Sequence, residues 1–182
     1  MAKKTAPENT ADAKPALANR MYKNRVDLPD ETKRKVVEIL NQNLANAFDM
    51  YSQAKFAHWN VKGMNFYQLH LVFDATADVI FKQVDPIAER ITQLGGTALG
   101  TMRMSAESSE IAPYDTNAIS GPEHLVALAN SLGTYCSKLR KASDDIDEAG
   151  DEPSADFIKA LVIEAEEELY FLESHLEAGD VQ

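Results

Sequence analysis

Imidazoles and carboxylates recur at helical spacing in the middle of this sequence, and together they make a metal-ligand set. His70 and Asp74 stand four residues apart, as do Asp85 and Glu89. Side chains at that spacing lie on one helix face and can converge on one ion. His58, a short way upstream, is the natural additional imidazole. Two imidazoles with two or three carboxylates suit iron, and also zinc or manganese, whereas thiolate-only and all-oxygen sites have a different composition. Imidazole binds a ferrous ion at neutral pH without adding negative charge. Carboxylates, as hard anionic donors, favour the harder ferric ion.

The helix that carries four of these groups is amphipathic in two ways. With Leu69 at zero and about 100° per residue, Leu69, Phe73, Thr76, Ile80, Gln83, Ile87, Ile91 and Leu94 fall within roughly 40° of zero. They form the core stripe. On the same wheel His70, Asp74, Asp78, Asp85 and Glu89 spread from about 100° to about 200°, away from the core. Most stripes of this kind are solvated charged faces, and Asp78 reads that way. Tyr67, Leu71 and Phe81 share the outward face, however, and large apolar groups among carboxylates mark a surface that a partner covers.

Helical rise sets the next constraint. His70 and Glu89 are separated by about 28 Å along the axis and cannot share a metal within one chain. An antiparallel copy across a two-fold axis would bring the His70/Asp74 end of one chain to the Asp85/Glu89 end of its mate. Di-iron sites inside a single bundle use Glu-x-x-His. Here Lys55, Tyr67, Gly121 and Leu172 occupy the position three before each histidine, so that motif is absent.

Four long helical segments must position these groups. The first begins near Leu28-Pro29-Asp30-Glu31, with acids at its positive end. It carries Val37, Leu40, Leu44, Phe48 and Tyr51, reaches His58, and has Gly63 as its stop. The second runs from about Asn65 to Leu94, with Gly95-Gly96 after it. The third follows Ser120-Gly121-Pro122-Glu123, capped by Ser120 or Gly121, with Pro122 in its first turn. The fourth opens at Glu152-Pro153-Ser154 and carries Phe157, Leu161, Ile163, Leu169, Leu172 and Leu176. The first and last pairs are joined by short turns. The middle connection, 97–120, is irregular and spans about 24 residues, the wiring of a ferritin-like four-helix bundle with one long crossover. The fold class is all-α, with 1–27 a flexible basic arm, 28–178 the bundle and 179–182 a short tail.

Composition agrees and excludes alternatives. Of 182 residues, 45% are hydrophobic and 26% charged, with one cysteine. A disulfide framework, a cysteine-rich zinc module and an iron–sulfur cluster are ruled out within one chain. Cys136 reads as a small buried hydrophobe. His124 and His175 have no convincing carboxylate partner and read as structural. No apolar run approaches the roughly 20 residues that span a bilayer. The N-terminus has no secretory core segment. A cytoplasmic location is the expectation, with the nucleoid as a second one. The net charge of −11 is unevenly spread. Residues 1–25 hold six cations (Lys3, Lys4, Lys14, Arg20, Lys23 and Arg25) against Glu8 and Asp12, a net of +4, and the remainder carries −15. The arm is either a solubilising extension or a contact for nucleic-acid phosphates.

The runs Ala57-His58-Trp59-Asn60-Val61-Lys62-Gly63-Met64-Asn65-Phe66, Leu69-His70-Leu71-Val72-Phe73-Asp74 and Asp85-Pro86-Ile87-Ala88-Glu89-Arg90-Ile91 resemble the Dps family, the DNA-binding proteins from starved cells or mini-ferritins. The likeness covers roughly 28–178. It implies a hollow homododecamer with ferroxidase sites at its two-fold interfaces. It implies oxidation of Fe(II), preferentially by hydrogen peroxide, and storage of the ferric product in the cavity. Residue by residue, it makes His58, His70 and Asp74 ligands from one subunit, and Asp85 and Glu89 ligands from the other. It places a redox-active aromatic at Trp59, for which ordinary packing is the alternative. It sets the acidic run Asp144, Asp145, Asp147, Glu148, Asp151, Glu152 and Asp156 at a three-fold pore, with Asp151 and Asp156 the best candidates and a solvated acidic turn the alternative. Asp85 is ambiguous, because Asp85-Pro86-x-x-Glu89 can equally be a capping pattern with Pro86 in a first turn. Two other readings stay open: a nucleoid-binding structural protein acting through the basic arm, with iron secondary, and a plain bundle without metal.

Overall fold

The apolar stripes of the sequence become four long helices that bury them against one another. The computed structural model describes residues 20–176. Lys3, Lys4, Lys14 and the 179–182 tail therefore lie outside the described residues. The helices are α1 (Asp30–Asn60), α2 (Phe66–Gln93), α3 (Met102–Ser108), α4 (Gly121–Glu148) and α5 (Glu152–Glu173). α1 pairs with α2 and α4 with α5 as hairpins, and the two hairpins meet through α1 against α4 and α2 against α5. Among the described residues the only sheet-like feature is one isolated parallel bridge between Lys62 and Ser120.

Local chemistry fixes the helix ends. Asp30 and Glu31 occupy the first turn of α1, where the dipole favours negative charge. Ser120 is the N-cap of α4. The Glu123 carboxylate accepts the Ser120 and Ile119 amides at 2.8 and 3.0 Å, together with the Ser120 hydroxyl at 2.9 Å. Those donors hold the Glu123 carboxyl below its ordinary range. Asp151 caps α5 by accepting from the Ser154 amide.

The crossover departs from the expectation of an irregular segment in one place: residues 102–108 form α3, a short helix whose Thr101 hydroxyl accepts the Met104 amide. The rest of the crossover lacks ladder partners, and α1 supplies them from its outer face. Asn41 donates to the Thr97 carbonyl and accepts the Leu99 amide. Gln42 donates to the Ser108 carbonyl, Asn46 accepts the Glu110 amide and Gln53 donates to the Ala112 carbonyl. Backbone groups that would otherwise be orphaned are thereby satisfied.

One sequence expectation needs correction, one open alternative closes, and one apolar residue of the α5 pattern turns outward. Residues 21–27, assigned to the flexible arm, are tied to the body. The Tyr22 amide donates to the Gly95 carbonyl at 2.7 Å, and Asn24 bridges the Gln93 carbonyl and the buried Lys33 ammonium. Gly95 has φ +91°, and a Cβ there would collide with the Tyr22 carbonyl. Pro86 neither caps nor breaks a helix, because α2 runs through it. Its missing N–H frees the carbonyl of Lys82, and both residues are exposed, so water can take that bond. Ile163 points outward and is 70% exposed, since it sits about 200° around the helix from buried Leu161.

Inside the bundle, the polar members of the α2 stripe are paired rather than stranded. The Tyr135 hydroxyl donates to Gln83 Oε1 at 2.8 Å, and Gln83 donates to the Leu161 carbonyl and to Glu164. Thr76 donates to Glu168 at 2.8 Å. Cys136 is a buried thiol whose pKa burial pushes up to about 12, which suits the expectation of a small hydrophobe. Desolvation also raises the Glu168 carboxyl above its ordinary value, against the opposing Thr76 bond. A raised folded-state pKa means that the penalty is absent below the unfolded value and fully present above the folded one. Glu168→Gln, which keeps an acceptor for Thr76 without a charge, should therefore raise the thermal midpoint at pH 7. It should leave the midpoint unchanged below about pH 4.5, the ordinary glutamate value. Thermal unfolding of the two proteins across that range checks this.

Candidate metal centre

The α1–α2 hairpin turns at Val61–Asn65, where Gly63 adopts φ +115°. That turn brings His58, in the last turn of α1, against His70, in the second turn of α2. The two rings stack with centroids 3.7 Å apart and planes 19° from parallel. Their hydrogen bonds are reciprocal: His58 Nδ1 lies 2.7 Å from the His70 carbonyl, and His70 Nδ1 lies 2.8 Å from the His58 carbonyl. A carbonyl can only accept, so both Nδ1 atoms carry a proton, and Nε2 is the ring nitrogen that each histidine has left for a ligand. No described residue hydrogen-bonds either Nε2. This is the arrangement in which a second contact fixes the tautomer and orientation of a metal-binding histidine.

Asp74 stands beside the pair, its Oδ1 3.7 Å from His58 Nδ1. The same oxygen accepts a 2.5 Å bond from the Lys55 ammonium. That bond, ahead of the fields of His58 and His70, holds the Asp74 carboxyl below its ordinary value despite partial desolvation. Sequence reasoning missed Lys55. It entered only as the residue three before His58, although that spacing puts it on the same face of α1. Trp59 does not pack into the chain: its ring is 63% exposed, with Lys55 Nζ 6.0 Å from its centroid. Among the described residues no three His, Cys, Asp or Glu side chains converge closely enough to hold a metal ion, so one chain offers an incomplete set.

A ferritin-like domain model matches residues 37–180. The DNA protection during starvation protein of Agrobacterium fabrum is 38% identical over 156 residues, which is 86% of this chain and 96% of that protein. The chain belongs to the Dps family of ferritin-like proteins. Among solved structures, the Dps protein from Bacillus brevis matches with a TM-score of 0.76 at 31% identity, over 82% of this chain and all of that one. DpsC from Streptomyces coelicolor matches with a TM-score of 0.84 at 26% identity, over 91% of this chain and 96% of that one.

The remaining site candidates of this Dps chain lie at the far end of α2. Asp85 and Glu89 are both exposed. With the helix continuous through Pro86, Asp85 is not spent on a cap. Arg90 anchors this end to α5: its Nε donates to Ser154 Oγ at 2.7 Å, and its Nη2 lies 3.3 Å from both Asp151 oxygens. Glu89, next along the helix, is thereby left facing outward. Tyr67, Leu71 and Phe81 are exposed along the same helix, on the face the wheel indicated. His124 is buried, bonded at Nδ1 to the Tyr114 hydroxyl, and desolvation lowers its pKa, so it is structural as expected. His175 is exposed and bonds the Phe171 carbonyl.

Asp151 is not a pore carboxylate in this chain. It is 1% exposed, and its oxygens are committed to Arg90, to the Ser154 hydroxyl and to the α5 cap. Asp156 remains exposed and accepts from Lys159. Asp151→Ala would leave Arg90 and the first turn of α5 without their partner. It should lower stability by about 3 kcal/mol, the cost of stranding one member of a buried pair. Asp156→Asn should leave stability within about 0.5 kcal/mol of the parent, as surface changes do. Denaturant unfolding of both variants separates the roles.

Proposed function

We propose that this protein oxidises Fe(II), with hydrogen peroxide as preferred oxidant, at centres shared between two-fold-related copies, stores the ferric product inside a hollow dodecamer, and so protects DNA. The observation that carries this reading is the reciprocal His58/His70 pairing, which pre-sets two Nε2 lone pairs beside Asp74 on a face that one chain leaves incomplete. Asp85 and Glu89 of the partner subunit supply the missing carboxylates, and Tyr67, Leu71 and Phe81 supply apolar surface for that interface. The family membership and the name of the Agrobacterium relative, DNA protection during starvation protein, support the same function.

The chemistry balances as two ferrous ions giving one electron each. The O–O bond of one peroxide breaks, two protons are taken up and two waters leave. Iron held in pairs can deliver both electrons at one site, which limits release of hydroxyl radical. His58 and His70 bind the ferrous substrate. Asp74, Asp85 and Glu89 neutralise the ferric product. Trp59, exposed beside the centre, is placed to supply or take an electron. Asp156, with its acidic neighbours, draws Fe(II) toward an entry pore.

A second reading concerns the arm. Its cations, including exposed Lys23 and Arg25, contrast with the acidic body and suit DNA phosphates. Repetition over many copies would multiply a weak contact. On that reading the protein is also associated with the nucleoid in the cytoplasm. Among the described residues no helix is long and apolar enough to cross a membrane.

Light scattering should give a particle of about 240 kDa, twelve copies of a 20.1 kDa chain. His58→Ala/His70→Ala should keep that mass and lose at least about tenfold in Fe(II) oxidation rate, the typical scale for removing site ligands. A monomer in solution, or undiminished oxidation in the double variant, refutes the shared centre. For the arm, deletion of residues 1–25 should abolish a gel shift that weakens as salt rises. A shift that survives the deletion excludes the arm as the DNA contact.

A further inference from the structure

Lys55 is the charged group at the centre that the oxidation does not use, and its position is specific. It lies one turn before His58, so it shares the face of α1 that meets α2. Its ammonium sits 2.5 Å from Asp74 Oδ1, with the two side chains 20% and 40% exposed. A second seat is near, since the ring centroid of Trp59 is 6.0 Å from Nζ and an aromatic face attracts a cation. We propose that Lys55 is a specificity-determining residue: a resident cation on Asp74 that only a metal able to bind imidazole displaces. This rests on the reading of His58, His70 and Asp74 as a metal-binding set.

The selectivity follows from ligand chemistry. Magnesium and calcium are hard ions that bind through oxygen. Asp74 is the carboxylate this chain sets beside the imidazoles, and one of its oxygens already carries a positive charge. A hard ion that evicts the ammonium gains little from two nitrogen donors. Iron and zinc face the same repulsion but recover it through the Nε2 atoms of His58 and His70. The ammonium therefore handicaps every divalent ion and is overcome by the imidazole-binding class alone. The displaced lysine moves to the face of Trp59. That residue is the single tryptophan of the chain, so its emission reports the exchange.

The test uses the assembled full-length protein and Zn(II), which has no redox chemistry of its own. Calorimetry gives its affinity with and without excess Mg(II), and Trp59 fluorescence gives a second readout. The parent and Lys55→Arg should bind Zn(II) with no effect of Mg(II), with a clear change in Trp59 emission. Lys55→Met and Lys55→Gln should bind Zn(II) on the order of tenfold tighter, as expected when a like charge is removed from contact distance. Both should lose several-fold of that affinity to excess Mg(II) and show a smaller change in emission. Two neutral variants are used so that one that fails to assemble does not decide the matter. Unchanged or weaker Zn(II) binding in an assembled neutral variant, or continued indifference to Mg(II), overturns the proposal. His58→Ala/His70→Ala separates the levels: if it binds Zn(II) as the parent does, the imidazole reading itself falls.

Discussion

A rigid helix cannot bring its own two ends together, and that constraint governs this molecule. α2 is 28 residues long, about 42 Å from end to end. It carries His70 and Asp74 at one end and Asp85 and Glu89 at the other, with Pro86 absorbed into an unbroken run. No local rearrangement joins the two groups. The same outward surface holds Tyr67, Leu71 and Phe81, which water disfavours. The same strip that must be covered is the strip whose antiparallel pairing brings the ends together, so association and ligand assembly are one event on the proposed reading.

The α1–α2 turn converts that geometry into chemistry. Two histidines that each donate to the other's carbonyl lose the freedom to choose a tautomer, and each cross-links the helix that carries the other. The turn is held from behind as well: the Lys62 amide donates to the Ile119 carbonyl, which ties the hairpin to the start of α4. Deeper in the bundle, Tyr135, Gln83, Glu164, Thr76 and Glu168 link α2 to α4 and α5. A satisfied buried network of this kind restricts sliding of one helix against another. At the opposite end of α2, Arg90 locked to Asp151 and Ser154 does the same for the turn that carries Glu89.

Much of this was readable from residue order. Apolar recurrence gave the four long helices, because burial of a stripe is a property of spacing. The start of α4 was readable in Ser120-Gly121-Pro122-Glu123, which left Ser120 or Gly121 as the cap, a local pattern with a local cause. The outward face of α2 was readable for the same reason. What escaped the sequence depends on contacts between distant segments. The amide side chains of α1 that hold the crossover look like an ordinary polar face until the crossover lies on them. The strap at residues 21–27 is fixed by Gly95, about seventy residues away, through a backbone approach that spacing along the strap does not reveal. Asp151 looked like one more member of an acidic run. Only the placement of Arg90 shows that it is buried and paired. Lys55 was hidden because its partner, Asp74, belongs to another helix.

Charge balance ties the half-site to the assembled one. In the single chain the one carboxylate of the centre, Asp74, is matched by one ammonium, Lys55. Such a half-site has little electrostatic attraction for a stray divalent ion, and its two nitrogen donors alone make a weak seat. Pairing of two chains adds Asp85 and Glu89 of the partner subunit and turns the balance negative, which both attracts Fe(II) and stabilises Fe(III). The acidic body outside the arm adds a long-range field of the same sign. On this reading an unpaired chain is a poor place for iron to meet peroxide, and the redox step is confined to the assembled protein.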